Sequence, residues 1–351
     1  LSYQRALKAI NLKKNNHIPS LEVLDHPEFI ARLIGYNPYL DPTQALIDAY
    51  RKLDMDMIIS LPSRSTPLKI GETQVTDFGS RLEAGWGLTA TGVQIQYPFE
   101  SVEEILNFDP LKEGMEAANL WALEHSTLMD RGYWQSLLKD CTLVAGWYYN
   151  SLFMWSVMLF GWEMFMTAAA LYPERFKLLI DKFALISIYH MERWAETDVP
   201  VMICHDDLAS SIGPTFNPQW YRQYIFPWYP QIWAPIKKTG RKVIFCSDGD
   251  ITLLLDDLVK SGVDGFMIEP ITDLKYLARI YGKEKIIIGG IDTRVLTFGT
   301  PEKVRGEVEK ITDLMGECPG YFYMAAGSLP GNIPVENLEA YFAACKKYGC
   351  R

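Results

Sequence analysis

The chain has 351 residues, a formal net charge of −9 and no basic stripe, which excludes nucleic acid as a partner and disfavours an anionic membrane surface. Hydrophobic residues make up 48%, enough to bury one large α/β barrel or two ordinary domains. Six cysteines form no CxxC pair and no secretory segment is visible at the start, so reduced thiols and a cytoplasmic location are expected.

In chain order, short β-type runs alternate with helical patterns, the signature of βα units around a parallel sheet. Eight strands are expected, at Ile18–Leu24, Met55–Ser60, Thr142–Trp147, Pro200–Cys204, Lys242–Cys246, Gly265–Glu269, Lys285–Gly289 and Gly320–Met324. Residues 61–141 form a long insertion between strands two and three, read as a hairpin followed by helices that cap the barrel mouth. The apolar stretch Leu152–Leu171 carries Gly161 and Trp162-Glu163 and reads as buried helix rather than a membrane span. Pro173 opens a helix to about Glu196, Pro218–Lys238 reads as another, Thr300 caps a helix beginning at Pro301, and Val335–Tyr348 closes the chain. Eight such units predict a (β/α)8 TIM barrel, a single domain over 1–351. A doubly wound sheet is disfavoured, because no Gly-x-Gly-x-x-Gly turn follows the first strand.

Barrel chemistry sits at the C-terminal ends of the strands. There the chain places His205-Asp206-Asp207, Cys246-Ser-Asp248-Gly-Asp250, Glu269 and Asp292. Thiolate, imidazole and carboxylate are all zinc donors, and a catalytic site needs three protein ligands and an open position. Cys246, Asp248, Glu269 and His205 are the candidate metal ligands; Asp207, Asp248 and Cys246 are the candidate catalytic groups. Aromatic content is 13%, with ten tryptophans, and Trp86, Tyr148 and Tyr323 are candidates for sandwiching a flat substrate, with His205 and Asp292 beside it. Each has a plainer reading: Cys246 as a small buried hydrophobe, Asp250 as a cap, Asp206 and Asp207 as turn acids, Asp292 as structural, the aromatics as packing.

The order of these pieces resembles the uroporphyrinogen decarboxylase superfamily over nearly the whole chain. Arg5-Ala-Leu-Lys-Ala-Ile-Asn-Leu12 with Ile18-Pro19 resembles its opening helix and strand, and Thr76-Asp-Phe-Gly79 with Trp86-Gly87 its Asp-x-[Phe/Trp]-Gly element. His205-Asp-Asp-Leu208 is similar to its acidic element after the fourth strand, and Phe245-Cys-Ser-Asp-Gly-Asp250 to Phe-His-Ser-Asp-Gly-Asp. Gly290-Ile-Asp-Thr-Arg-Val-Leu296, Gly299-Thr-Pro-Glu-Lys-Val304 and Asn332-Ile-Pro-Val-Glu-Asn337 resemble its closing signatures.

The superfamily implies either cofactor-free decarboxylation of porphyrinogens or methyl transfer involving a corrinoid protein, with zinc. A porphyrinogen carries many carboxylates and needs clustered arginines. The decarboxylases' Arg-x-x-x-Arg region after the first strand reads here Glu22-Val-Leu-Asp-His-Pro-Glu-Phe-Ile-Ala-Arg32, with acids and one arginine. In the methyltransferases a His-x-Cys pair after the fifth strand and a distant cysteine bind zinc. The pair falls here on Cys246 and Asp248, and the distant cysteine falls near Ala325-Ala326-Gly327, so it is missing. The favoured expectation is a methyltransferase that demethylates a small methyl donor such as a methoxylated aromatic, with zinc or a proton assisting the leaving oxygen. The acceptor is the reduced corrinoid of a partner protein, since the chain has no Asp-x-His-x-x-Gly motif of its own. The alternatives are a metal-free decarboxylase using Asp207 or Asp248, and a non-catalytic tetrapyrrole- or corrinoid-binding barrel.

Overall fold

The computed structural model describes residues 2–59, 61, 73–75, 81–84, 92–112 and 131–351. Its frame is a parallel (β/α)8 barrel. The staves are β1 (Leu24–Asp25), β2 (Met57–Ile58), β3 (Leu143–Val144 and Gly146–Tyr148), β4 (Val201–His205), β5 (Lys242–Ser247), β6 (Gly265–Ile268), β7 (Ile286–Gly289) and β8 (Tyr321–Phe322). β3 to β8 form one continuous parallel ladder, and β2 pairs with the first part of β3. Bridges Leu21↔Met57 and Ser20↔Tyr323 close the cylinder through the residues leading into β1. All eight strands expected from the sequence are therefore present.

Strand alternation sorts the side chains into two cores. Leu21, Met57, Val201, Ile203, Ile244, Ile286, Ile288 and Phe322 fill the barrel interior. The helix Ser2–Ile10 plugs its lower end with Ala6, Ala9 and Ile10. That plug is bolted down by Arg5, whose Nε donates to Asp56 at 2.6 Å and whose Nη2 donates to Asp54 at 2.8 Å. The opposite strand faces pack against the helices in a larger cluster that includes Phe153, Phe183, Trp194, Trp233 and Phe245.

The insertion after β2 contains an antiparallel three-stranded piece, Thr73–Val75, Arg81–Ala84 and Gly92–Gln96, followed by the helix Val102–Asn107. Trp86 and the Thr76–Gly79 element lie outside the described residues. The helices Pro173–Ala195 and Pro301–Met315 start at their prolines, and Thr300 accepts the Lys303 N–H as the expected N-cap. The stretch Pro218–Lys238 is instead two helices, Pro218–Tyr224 and Tyr229–Lys238. Pro227 supplies no N–H and disfavours a helical residue before it, and the run breaks there. The helix Phe153–Leu171 is long and apolar enough to cross a membrane by length and composition, but more than half of it is buried in the protein. It is kinked at Gly161, where φ is 74° and an added Cβ would meet the Tyr97 ring at 2.7 Å.

The seam between β1 and β8 is uneven. Tyr323 N–H donates to Pro19 O and Leu329 N–H to Val23 O, so a four-residue step on the first strand faces a six-residue step on the last. Within the slack, Ala325 N–H donates to a side chain, Glu22 Oε1, at 3.0 Å. Glu22 is 1% exposed and faces the outer layer, where it also accepts the Tyr341 hydroxyl, while its Oε2 has no hydrogen-bond partner. Burial pushes its carboxyl up to about 8, against those two hydrogen bonds.

Candidate active site

β4 sets the first half of the site. Val201, Ile203 and His205 point inward and Asp206 outward, so Asp207 returns to the inner side. His205 is buried, and its Nε2–H donates to Asp207 Oδ1 at 2.7 Å, while Nδ1 is buried without a hydrogen-bond partner. Burial works against the charged imidazole, but the Asp207 hydrogen bond and the charges of Asp207, Asp248 and Asp206 outweigh it and raise its pKa.

Asp206 has a different task. Its carboxylate accepts the N–H groups of Leu152, Phe153 and Met154 at 2.9, 2.8 and 2.7 Å, and the Tyr229 hydroxyl at 2.8 Å. It thereby satisfies the open amides at the start of the helix Phe153–Leu171 and pins that helix to β4. Its carboxyl is pushed up to about 6 by complete burial, against the Met154 and Phe153 amides and the Tyr229 hydroxyl.

β5 supplies the second half. Past Ser247 the chain turns so that Asp248 N–H donates to Asp207 Oδ1 at 2.8 Å, and Gly249 N–H donates to Glu269 Oε2 at 2.8 Å. Gly249 sits at φ 79°, and a Cβ there would lie 2.5 Å from Ala209 O, so the turn requires glycine. The Asp248 carboxylate opens onto the mouth and accepts no hydrogen bond from any described residue. Desolvation in this concave rim, with Asp207 and Glu269 nearby and against His205, pushes it up to about 6. Asp250 accepts the Thr252 N–H at 3.0 Å in a local turn and is not the cap expected of it, since the turn Thr252–Leu254 has Ile251 at its N-cap and no side-chain cap bond.

His205, Asp207 and Asp248 thus converge, with donor atoms all within 4.8 Å of one another. Three other expected members are not among these converging donors. Cys246 faces the barrel interior beside Ile203, Ile244 and Met267, outside the cluster, and burial followed by the charges of Asp248, Asp207 and Glu269 pushes its thiol well up. Glu269 is spent on the Gly249 amide. Asp292 caps the helix Thr293–Phe298 and is paired with Arg294 at 2.8 Å, which lowers its pKa.

The aromatic expectations divide in the same way. Tyr148 points outward, its hydroxyl donating to Ser187 at 3.0 Å with His190 Nδ1 at 2.9 Å. Tyr323 also lies behind the sheet, its hydroxyl bonded to Thr312 Oγ1 at 2.5 Å. Their neighbours Trp147 and Tyr149 face the site instead: the Tyr149 ring meets His205 edge-on with centroids 4.5 Å apart, and Trp147 lies 5.3 Å from it. Tyr149 is 43% exposed, and burial of the rest, then Asp207, Asp248 and Cys246, pushes its phenol up to about 12. Alternation along β3 carried this signal: Trp147 pairs with inward-facing Ile203, so Tyr149 shares its face.

The donor set suits a divalent cation. It offers one imidazole and two carboxylates at neighbouring strand ends, a buried ring nitrogen without a partner, and an uncompensated acid. A cavity of about 450 Å³ elsewhere, lined by Arg5, His17, Tyr323 and Tyr341, touches none of these residues.

Comparisons with known proteins agree with this barrel. Over its full length the fold matches that of a methyltransferase from Methanosarcina mazei with a TM-score of 0.68, covering 99% of this chain and 98% of that one at 15% identity. The sequence is 26% identical over 180 residues to the methylated-thiol–coenzyme M methyltransferase of Methanosarcina mazei, 50% of this chain and 45% of that protein. It is 22% identical over 182 residues to the uroporphyrinogen decarboxylase of Pseudoalteromonas atlantica, 51% and 50% respectively. The chain spans about half the length of the curated relatives it matches. The family model described as Uroporphyrinogen decarboxylase (URO-D) matches residues 153–348, a stretch that holds β4 to β8 and every member of the rim cluster. With more than half of its residues inside that match, the chain belongs to the uroporphyrinogen decarboxylase family.

Proposed function

We propose that this protein is a methyltransferase that demethylates a small methoxylated aromatic and passes the methyl group to the reduced corrinoid of a partner protein. The observation that carries the reading is the His205–Asp207–Asp248 cluster set beneath the inward faces of Trp147 and Tyr149. The aromatic pair offers a planar ring a wall to lie against, which brings its ether oxygen toward the cluster. When the O–CH3 bond breaks, its electron pair stays on that oxygen, and the developing phenolate needs positive charge or a proton. Asp248 exposes a carboxyl held near 6, able to carry that proton, and Asp207 fixes both the His205 ring and the Asp248 amide. A divalent cation held by the same three residues would act as a Lewis acid on the leaving oxygen.

Decarboxylation, the activity named for several relatives, keeps Asp207 or Asp248 as proton carriers but needs cations for the substrate's carboxylates. Glu22 is buried behind the sheet and Arg32 pairs with Glu339 at 3.0 Å, so the segment after β1 brings no arginine to the rim. The test is a screen of methyl donors with a reduced corrinoid protein, following the corrinoid's optical change. Turnover of a methoxylated aromatic is expected. Release of carbon dioxide from a porphyrinogen or small acid, without any corrinoid, would replace this reading.

A further inference from the structure

We infer that the rim holds a divalent first-row cation in a sulfur-free centre built by His205, Asp207 and Asp248. The family pattern points to cysteines, and this chain has none where they are needed. The last-strand position falls on Ala325-Ala326-Gly327, and the Ala325 amide is held by Glu22 on the outer side. The cysteine at the end of β5, Cys246, pairs in register with His205 but packs into the barrel interior with Ile244 and Met267 and is not among the converging donors.

The pair at i, i+2 spacing has in effect moved one strand over, from the end of β5 to the end of β4. His205 and Asp207 share the inner side there, and Asp248 from β5 completes a group whose donor atoms lie within 4.8 Å of one another. Two independent observations point to a missing partner. The His205 ring is 7% exposed, yet its Nδ1 meets no hydrogen-bond partner, and buried ring nitrogens are ordinarily satisfied. The Asp248 carboxylate faces the mouth and accepts no hydrogen bond from any described residue, although the Asp207 carboxylate lies within 4.8 Å of it. One imidazole and two carboxylates suit zinc, cobalt, iron or manganese in the divalent state, and they leave positions free for water or a substrate oxygen. The inference deepens the methyl-transfer reading, because it names what would meet the leaving oxygen, but its test needs no methyl donor.

The experiment is a titration of metal-stripped protein with cobalt(II), read by calorimetry and by absorbance. Binding of about one equivalent is expected, with weak visible bands and no intense near-ultraviolet thiolate band. Cys246→Ser should leave both the affinity and the spectrum unchanged. Asp248→Asn and Asp207→Asn should each weaken binding about 10-fold or more. Circular dichroism on each variant separates ligand loss from unfolding, and Asp248→Asn is the safer arm because that carboxylate accepts no hydrogen bond from any described residue. A thiolate band that vanishes in Cys246→Ser would overturn the inference in favour of a sulfur centre. Absence of cobalt binding to the wild-type chain would overturn it outright, while leaving a proton-assisted methyl transfer intact.

Discussion

Asp206 and Asp248 stand on adjacent strand ends, and both carboxyls are pushed up to about 6, but their surroundings have little in common. Asp206 is fully buried and accepts four hydrogen bonds, three of them from one helix start. Asp248 opens onto the mouth and accepts none from the described residues. Similar proton affinities therefore accompany opposite roles, and partner count separates them: an acid that is already satisfied holds the frame, and one that is not is available to a ligand.

The sharpest way to break that contrast is Asp206→Ala. It leaves three amides and a hydroxyl buried without an acceptor, and at about 1 kcal/mol or more each the loss should reach roughly 4–5 kcal/mol. Denaturant unfolding measures it; a loss below about 1 kcal/mol would mean that other groups hold the helix Phe153–Leu171.

Glu22 extends the contrast to a third acid, half satisfied and far from the cluster. Its folded pKa of about 8 lies above the usual 4.5, so its contribution to stability is complete below about 4.5 and is lost as pH rises through about 8. At about 1.4 kcal/mol per unit the span is on the order of 5 kcal/mol. Thermal melts from pH 4 to pH 9 should show the decline, and Glu22→Gln should flatten it. A wild-type profile that stays level across this range would show that Glu22 finds compensation when ionised.

Asp248→Asn is expected to give the inverse of Asp206→Ala. Stability should change by less than about 1 kcal/mol, or improve as repulsion from Asp207 and Glu269 is relieved. Methyl transfer should fall by about 100-fold or more. Equal losses in both measurements would assign Asp248 to the frame as well.

The smallest effect tests the aromatic division. Tyr148→Phe removes hydrogen bonds with Ser187 and His190 and should cost about 1 kcal/mol while sparing substrate affinity. Tyr149→Ala should do the reverse, raising KM for an aromatic donor with little change in Tm. A KM change in Tyr148→Phe instead would contradict the outward orientation of that ring.

The barrel was largely legible from the residues. Short apolar runs, several of them ending in acids, located every stave, and Pro173, Thr300 and Pro301 marked two helix starts, because caps and proline act locally. The site was legible only in part. His205, Asp207 and Asp248 were recognisable as strand-end acids and imidazole, but their convergence depends on the pairing of β4 with β5, which no local pattern encodes. Choosing Tyr148 over Tyr149 was an error of parity: a one-residue difference sends a side chain to the other face, and pairing with β4 decides which. The role of Asp206 was hidden for a similar reason, since its four donors come from residues more than 20 positions away.

The uneven seam between the first and last strands bears on where such chemistry can be built. A ladder fixes side-chain direction through evenly spaced backbone bonds, and two surplus residues near Ala325 remove that control on the β1 side. A ligand mounted there would inherit positional play, whereas one mounted on β4 or β5 is indexed by neighbours on both flanks. The chain keeps its demanding donors on the taut arc of the cylinder and leaves the loose arc to be clasped by Glu22.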